Sequence, residues 1–296
     1  MRIVVAGGTG FLGSTLVDAW RREGHDVAIL TRHARGPDHI AWAPESSDTS
    51  WANAIDGADL VANLAGEPIA AKRWTTARKA AIRDSRVRAT RALATAITRA
   101  ARPPTVFVSA SGIGVYGPRD DAPVSEETTP GVDFLASVCR EWEAEAMGAA
   151  RATRVVLLRT GLVLSQHGGA LPQIALPFRF FAGGPVGSGR QYMSWIHLDD
   201  WVAMTRWSAA TAAVAGPLNL TAPNPVTNAE FSRALGEALD RPAFMRAPAP
   251  ALRLALGEMA DALLLTGQRV LPARARALGF GFRYERVEDA LRAIYG

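Results

Sequence analysis

The chain opens on Arg2-Ile3-Val4-Val5-Ala6 and runs straight into Gly7-Gly8-Thr9-Gly10-Phe11-Leu12-Gly13. A short apolar strand, a glycine turn and an amphipathic helix follow one another with no spare residue. Gly7 permits the tight turn, Gly10 lets backbone N–H groups approach a pyrophosphate, and Gly13 lets helix and strand pack closely. The unpaired N–H groups and positive dipole end of the helix then face the phosphates. The competing reading is a plain strand–turn–helix with no ligand. Because the strand before and the helix after supply the context that the motif demands, Gly7, Thr9, Gly10, Phe11, Leu12 and Gly13 are expected to hold a dinucleotide.

Strand-like and helix-like segments alternate through the first two thirds of the chain, which predicts parallel βαβ units. Leu12, Leu16, Ala19 and Trp20 recur at helical spacing up to a stop at Gly24. Runs at 27–30, 60–64, 105–108 and 155–158 read as strands, and 75–101 and 134–149 read as helices. After about Ser165 the texture changes: a glycine-rich loop at 183–189, a short extended piece at 193–197, and a capping-box helix start at Thr227-Asn228-Ala229-Glu230. The pattern predicts an α/β fold. A Rossmann-type doubly wound parallel sheet is expected over 1–165, completed by a strand within 216–222. A smaller, mainly helical C-terminal lobe over 166–296 is expected to cover the substrate side, at the carboxyl ends of the strands where such sheets bind ligands.

A hydrophobic content of 48% with 21% charged residues is that of an ordinary globular protein. No apolar run is long enough to span a bilayer, and Met1 leads into a core strand rather than a charged targeting region. The single Cys139 forms neither an intramolecular disulfide nor a thiolate cluster, and the five histidines suggest no metal site, so a reducing cytoplasm is the expected compartment. The net charge of +5 comes from dispersed arginines with no basic tail. That is a compositional habit rather than a nucleic-acid footprint, and the expected partner is a small-molecule substrate. The oligomeric state is left open.

An NAD site needs an acidic residue at the end of the second strand to accept from the ribose hydroxyls. This chain offers Thr31-Arg32 there. An arginine cannot accept from a 2′-OH, but it pairs bidentately with a 2′-phosphate and stacks on adenine. NADP(H) is therefore the expected cofactor, against the alternative of a surface arginine in a loop.

The glycine turn, Asn63-Leu64-Ala65-Gly66, Ser109-Ala110-Ser111 and Val115-Tyr116-Gly117 together resemble the extended short-chain dehydrogenase/reductase superfamily, whose members include nucleotide-sugar epimerases and dehydratases. Further stretches resemble its atypical epimerase-family branch, described as nucleotide-sugar epimerase-like or cell-division-inhibitor-like. These are Lys72-Arg73-Trp74, Ser85-Arg86-Val87, Phe134-Leu135-Ala136 with Trp142-Glu143, Gly183-Gly184-Pro185 and Ser194-Trp195-Ile196-His197. That branch's C-terminal domain of unassigned function is similar to the segments Pro223 to Asn228 and Gly279 to Phe282. The resemblance covers essentially the whole chain, and adds Leu64, Ala65 and Gly66 to the cofactor residues.

The superfamily uses a tyrosine to exchange a proton as hydride moves, with a lysine four residues later that lowers the tyrosine pKa. Here those two places hold Phe134 and Val138. The only lysines are Lys72 and Lys79, and the residues four before them are Pro68 and Thr75. The usual pair is absent. Ser111 aligns with the superfamily's substrate-polarising serine, or is a strand-end turn residue. Tyr116 lies a few residues on and is the remaining candidate acid, against substrate stacking or a structural hydrogen bond. Arg86, on the apolar face of its helix, wants a cofactor phosphate, a substrate carboxylate or a fixed Asp/Glu, the last in a structural ion pair. Arg73 with Trp74, and Gln191 with Trp195 and His197, either line a substrate pocket or pack the core. Two functions compete: an NADP(H)-dependent oxidoreductase or epimerase-like enzyme using Ser111 and Tyr116 on a small polar substrate, nucleotide-linked or free, and a catalytically weak or inactive NADP(H)-binding regulator or scaffold.

Overall fold

Ile3, Val4 and Val5 are all fully buried, yet they serve two different cores. Successive strand side chains point to opposite faces. Ile3 and Val5 join Leu16, Trp20 and Trp201 on one side, whereas Val4 and Ala6 join Leu93, Ile97 and Phe107 on the other. A strand apolar on both faces needs helices on both faces, the condition a parallel sheet meets.

The computed structural model describes residues 1–296. Strand β1 (Arg2–Ala6) leads into helix α1 (Phe11–Arg22), β2 (Asp26–Thr31), β3 (His39–Ala41) and β4 (Leu60–Asn63). Helix α2 (Thr76–Arg99), β5 (Val106–Gly112) and helix α3 (Phe134–Met147) follow. With the strands Arg154–Thr160 and Gly216–Leu220 these make a seven-stranded parallel sheet. From one edge its order is Gly216–Leu220, Arg154–Thr160, β5, β4, β1, β2, β3. The doubly wound sheet expected from the sequence is present. β1 is the topological switch point: the chain first winds outward through β2 and β3, then returns to its other side through β4.

Local chemistry sets the element ends. The Thr75 side chain accepts from Arg78 N–H and caps α2, and α1 gives way at Gly24, where φ is +78°. The expected helix at 134–149 stops at Met147, ahead of Gly148. The expected extended piece at 193–197 is split at Ser194 into Tyr192–Met193, paired with Val226–Thr227, and Trp195–His197, paired with Leu162–Leu164. Ser194 is diverted because its hydroxyl donates to Gln268 O at 2.7 Å and accepts from Val270 N–H at 2.8 Å.

Beyond the sheet, helix Asn228–Leu239 begins at the capping box of Thr227 and Glu230 and packs its Phe231 and Leu235 with Leu291 of the last helix, Val287–Tyr295. Asp200 ties this region to the sheet by accepting from Arg283 and Tyr284 N–H, both at 2.9 Å. No helix is long and apolar enough to cross a membrane.

Candidate functional site

Two of the three key glycines are required by the chain itself. A Cβ on Gly7 would lie 2.7 Å from Leu64 O, and one on Gly13 would lie 2.1 Å from Gly7 O. Gly10 is different. Its φ of −81° is open to any residue, and a Cβ there would meet only Gly7 O, at 3.4 Å. Packing within the protein therefore gives no reason for glycine at 10, whereas a phosphate resting on the backbone would. Gly10 precedes α1 without a side-chain cap, and the first turn holds no acidic residue, so its N–H groups are left for an anion. These residues fit a dinucleotide pyrophosphate.

Gly168 and Gly169 cover this turn from the C-terminal side, and a Cβ on Gly168 would lie 2.4 Å from Phe11 Cδ2. At the end of β2, Thr31 accepts from His33 N–H, and the Arg32 side chain is 74% exposed. The only carboxylate within salt-bridge range of Arg32 is Glu67, at 3.7 Å. Leu64, Ala65 and Gly66 leave the end of β4, held by Asn63 Oδ1 accepting from Ala65 N–H at 3.2 Å.

Ser111, at the carboxyl end of β5, donates its hydroxyl to Glu143 Oε1 at 2.6 Å. Glu143 projects from α3 and is gripped by Arg159, with Nε to Oε1 at 2.9 Å and Nη2 to Oε2 at 2.8 Å. Arg159 is buried and Glu143 nearly so. Burial works against the Arg159 charge, but the hydrogen bonds to Glu143 outweigh it and hold the guanidinium well above its ordinary range. Arg159 Nη1 also donates to Tyr116 Oη at 3.0 Å, and Tyr116 Oη donates to Asn219 Oδ1 at 2.7 Å. The network therefore runs from Ser111 through Glu143, Arg159 and Tyr116 to Asn219. One end lies at the mouth of the sheet and the other inside the protein.

For Tyr116 this placement favours the structural hydrogen bond over the role of acid. The residue is 0% exposed in a short helical turn, and its hydroxyl is engaged on both sides. Burial raises its pKa, the opposite of what an acid working near neutrality needs. Its contacts are those of a structural hydrogen bond.

Arg86 also departs from expectation, because no carboxylate pairs with it. Nη1 donates to Ile82 O at 2.9 Å and Nη2 to Glu67 O at 3.0 Å, and the guanidinium lies 5.3 Å from the Trp142 ring centre. Backbone carbonyls and an indole face satisfy the cation, and burial lowers its pKa. Gly66 makes room for it: a Cβ there would lie 3.1 Å from Arg86 Cζ. Arg86 thus fixes the loop after β4. The thiol of Cys139, between Arg86 and Ser111, is pushed up to about 11 by burial and stays inert.

The other pocket candidates are internal ties. Gln191 Nε2 donates to Val186 O and Leu264 O, Trp195 Nε1 to Asn224 O, and Arg73 Nη1 to Leu254 O. His197 Nδ1 accepts from Asp199 N–H at 3.1 Å and caps helix Leu198–Ala210. Phe134, in the tyrosine position, packs against Trp74 with ring centres 5.1 Å apart.

Arg159, Asn219 and Glu67 were not anticipated as site residues, and Glu143 entered only through the resemblance. One signal was available. Arg159 interrupts the apolar run Val155–Leu158 inside a strand, and a buried arginine needs a carboxylate.

A parallel sheet with a glycine turn at its switch point and an uncapped helix start above it defines a dinucleotide-binding protein of the Rossmann type. Residues 3–220 match the NAD dependent epimerase/dehydratase family, and residues 247–294 match a domain of unknown function (DUF1731). The chain belongs to that epimerase/dehydratase family. It is 42% identical over 302 residues to the Arabidopsis thaliana chloroplastic homolog of epimerase family protein SDR39U1, covering 99% of this chain and 86% of that protein. The crystal structure of human SDR39U1 with NADPH superimposes with a TM-score of 0.93 at 36% identity, covering 100% of this chain and 99% of that one. A nucleoside-diphosphate sugar epimerase from Corynebacterium glutamicum superimposes with a TM-score of 0.83 at 33% identity, covering 99% of this chain and 58% of that one.

Proposed function

We propose that this protein is an NADP(H)-dependent oxidoreductase or epimerase-like enzyme acting on a small polar, hydroxyl-bearing substrate, with the nucleotide sugars as the leading substrate class. The observation that carries the cofactor reading is the pairing of Gly10, whose lack of a side chain serves nothing inside the protein, with the exposed Arg32 at the end of β2. The NADPH in the human relative's structure supports it, as does the nucleoside-diphosphate sugar named for the Corynebacterium relative. Gly7 to Gly13 would hold the pyrophosphate, Thr31 and Arg32 the 2′-phosphate end, and Leu64, Ala65 and Gly66 the remaining edge of the groove. When bound, the cofactor supplies a hydride donor or acceptor.

In place of a tyrosine and lysine, the chain offers Ser111. Glu143 takes the Ser111 proton inward, so Oγ turns its lone pairs outward and accepts a hydrogen bond from a substrate hydroxyl. Arg159 keeps Glu143 in that orientation, and Tyr116 supports Arg159 from behind. A second reading, a cofactor-binding protein with little turnover, is favoured by Phe134 and Val138, whose apolar side chains supply no proton donor.

The test is incubation of the NADPH- or NADP+-loaded protein with carbonyl compounds, alcohols and nucleotide sugars, following nicotinamide absorbance and sugar configuration. Turnover abolished by Ser111→Ala, with cofactor affinity retained, supports the enzyme. Tight cofactor binding with no turnover across the panel favours the second reading.

A further inference from the structure

The contact between Arg32 and Glu67 joins two segments that the sheet holds apart. β2 and β4 flank β1 on opposite sides, so their ends lie about 10 Å apart, twice the interstrand spacing. Arg32 follows β2 directly and Glu67 lies a few residues beyond β4. A side-chain contact between them therefore arches over the carboxyl end of β1, where Gly7 begins the turn. The Arg32 Nη1 to Glu67 Oε1 distance is 3.7 Å, within ion-pair range but beyond a hydrogen bond. Glu67 is held more firmly from the other side, by Arg78 Nη1 at 3.3 Å, and Arg78 also donates to Pro68 O. Arg86 holds the Glu67 carbonyl. The carboxylate is thus held on the α2 side of the groove, while Arg32 is the exposed partner.

We propose that Glu67 is a cofactor-selectivity residue: its carboxylate competes with the 2′-phosphate of NADP(H) for Arg32 and narrows the preference for NADP(H) over NAD(H). This rests on the assignment of Arg32 to the 2′-phosphate. Any anion that pairs with the Arg32 guanidinium enters the field of a carboxylate already beside it, and Arg78 prevents that carboxylate from swinging away. One cation then serves two anions. NAD(H) brings no charge to that position and meets no such competition. The sequence gives no sign of this, because the residue before Pro68 reads as part of a loop.

The experiment is a fluorescence titration of NADPH and of NADH into the full chain, as wild type, Glu67→Gln, Arg32→Ala and the double variant, at low and high salt. Glu67→Gln keeps an acceptor for Arg78 while removing the charge. It is expected to tighten NADPH binding about threefold, as for an exposed ion pair, and to leave NADH binding unchanged. The gain falls on the Arg32→Ala background, where no cation is left to compete for, and shrinks in high salt. If Glu67→Gln leaves NADPH binding unchanged or weakens it while Arg32→Ala abolishes the NADPH preference, the competition is refuted and the cofactor reading stands. If Arg32→Ala leaves the NADPH to NADH ratio untouched, the cofactor assignment of Arg32 falls, and the role of Glu67 falls with it.

Discussion

The Ser111 hydroxyl and the Glu143 carboxylate meet at 2.6 Å between β5 and α3, and Arg159 closes on the same carboxylate from the neighbouring strand. Both charges of that pair are largely shielded from water, so each depends on the other. Glu143→Ala leaves the Arg159 guanidinium buried without its anion and should cost about 3–5 kcal/mol. Urea denaturation measures it. A loss under about 1 kcal/mol would mean that water compensates for the missing carboxylate.

The glycines of the turn should separate by role. Gly13→Ala drives a Cβ into Gly7 O and should destabilise the fold by about 3 kcal/mol. Gly10→Ala has room and an allowed φ, so its unfolding midpoint should stay near that of the wild type while NADPH affinity falls at least about tenfold, through lost backbone approach. Thermal melts paired with NADPH titration distinguish the two.

Tyr116→Phe removes a buried hydroxyl and strands Asn219 Oδ1 and one Arg159 N–H. A stability loss of about 1–3 kcal/mol with unchanged NADPH affinity is expected. If turnover is found and this variant loses it with stability intact, the tyrosine belongs to the chemistry instead.

His197 should make stability depend on pH. Burial lowers its pKa from the ordinary value of 6.5, so as pH falls through that value the unfolded chain takes up the proton first. The stability contributed by the neutral ring is present above pH 6.5 and is lost as pH falls towards the folded pKa. Protonation also removes the lone pair that accepts from Asp199 N–H. His197→Asn keeps a capping acceptor without a titrating ring. Melting curves between pH 5 and pH 8 should show a steeper acid-side decline in the wild type than in the variant.

The strand–turn–helix at the start, the doubly wound sheet and the Thr227 capping box were all readable, because each is written within a few neighbouring residues. Arg32 was readable for the same reason: it directly follows a strand whose position in the fold the glycine turn defines. The partner of Arg86 was not. Its spacing placed it on the inner face of α2, but whether a carboxylate, a carbonyl or an indole would meet it depended on where the loop after β4 and helix α3 came to lie.

The periodicities and the glycine spacing thus carry the family, the sheet and a dinucleotide groove within the order of residues alone. The same order carries an absence, since no tyrosine stands four residues before either lysine. That Ser111 answers to Glu143, that Tyr116 turns inward to Asn219, and that Arg32 meets Glu67 over the end of β1 emerged from the packed fold. The difference is one of range. Backbone conformation and burial pattern follow from neighbours along the chain, whereas the pairing of a buried charge or hydroxyl is settled by packing between elements far apart in it.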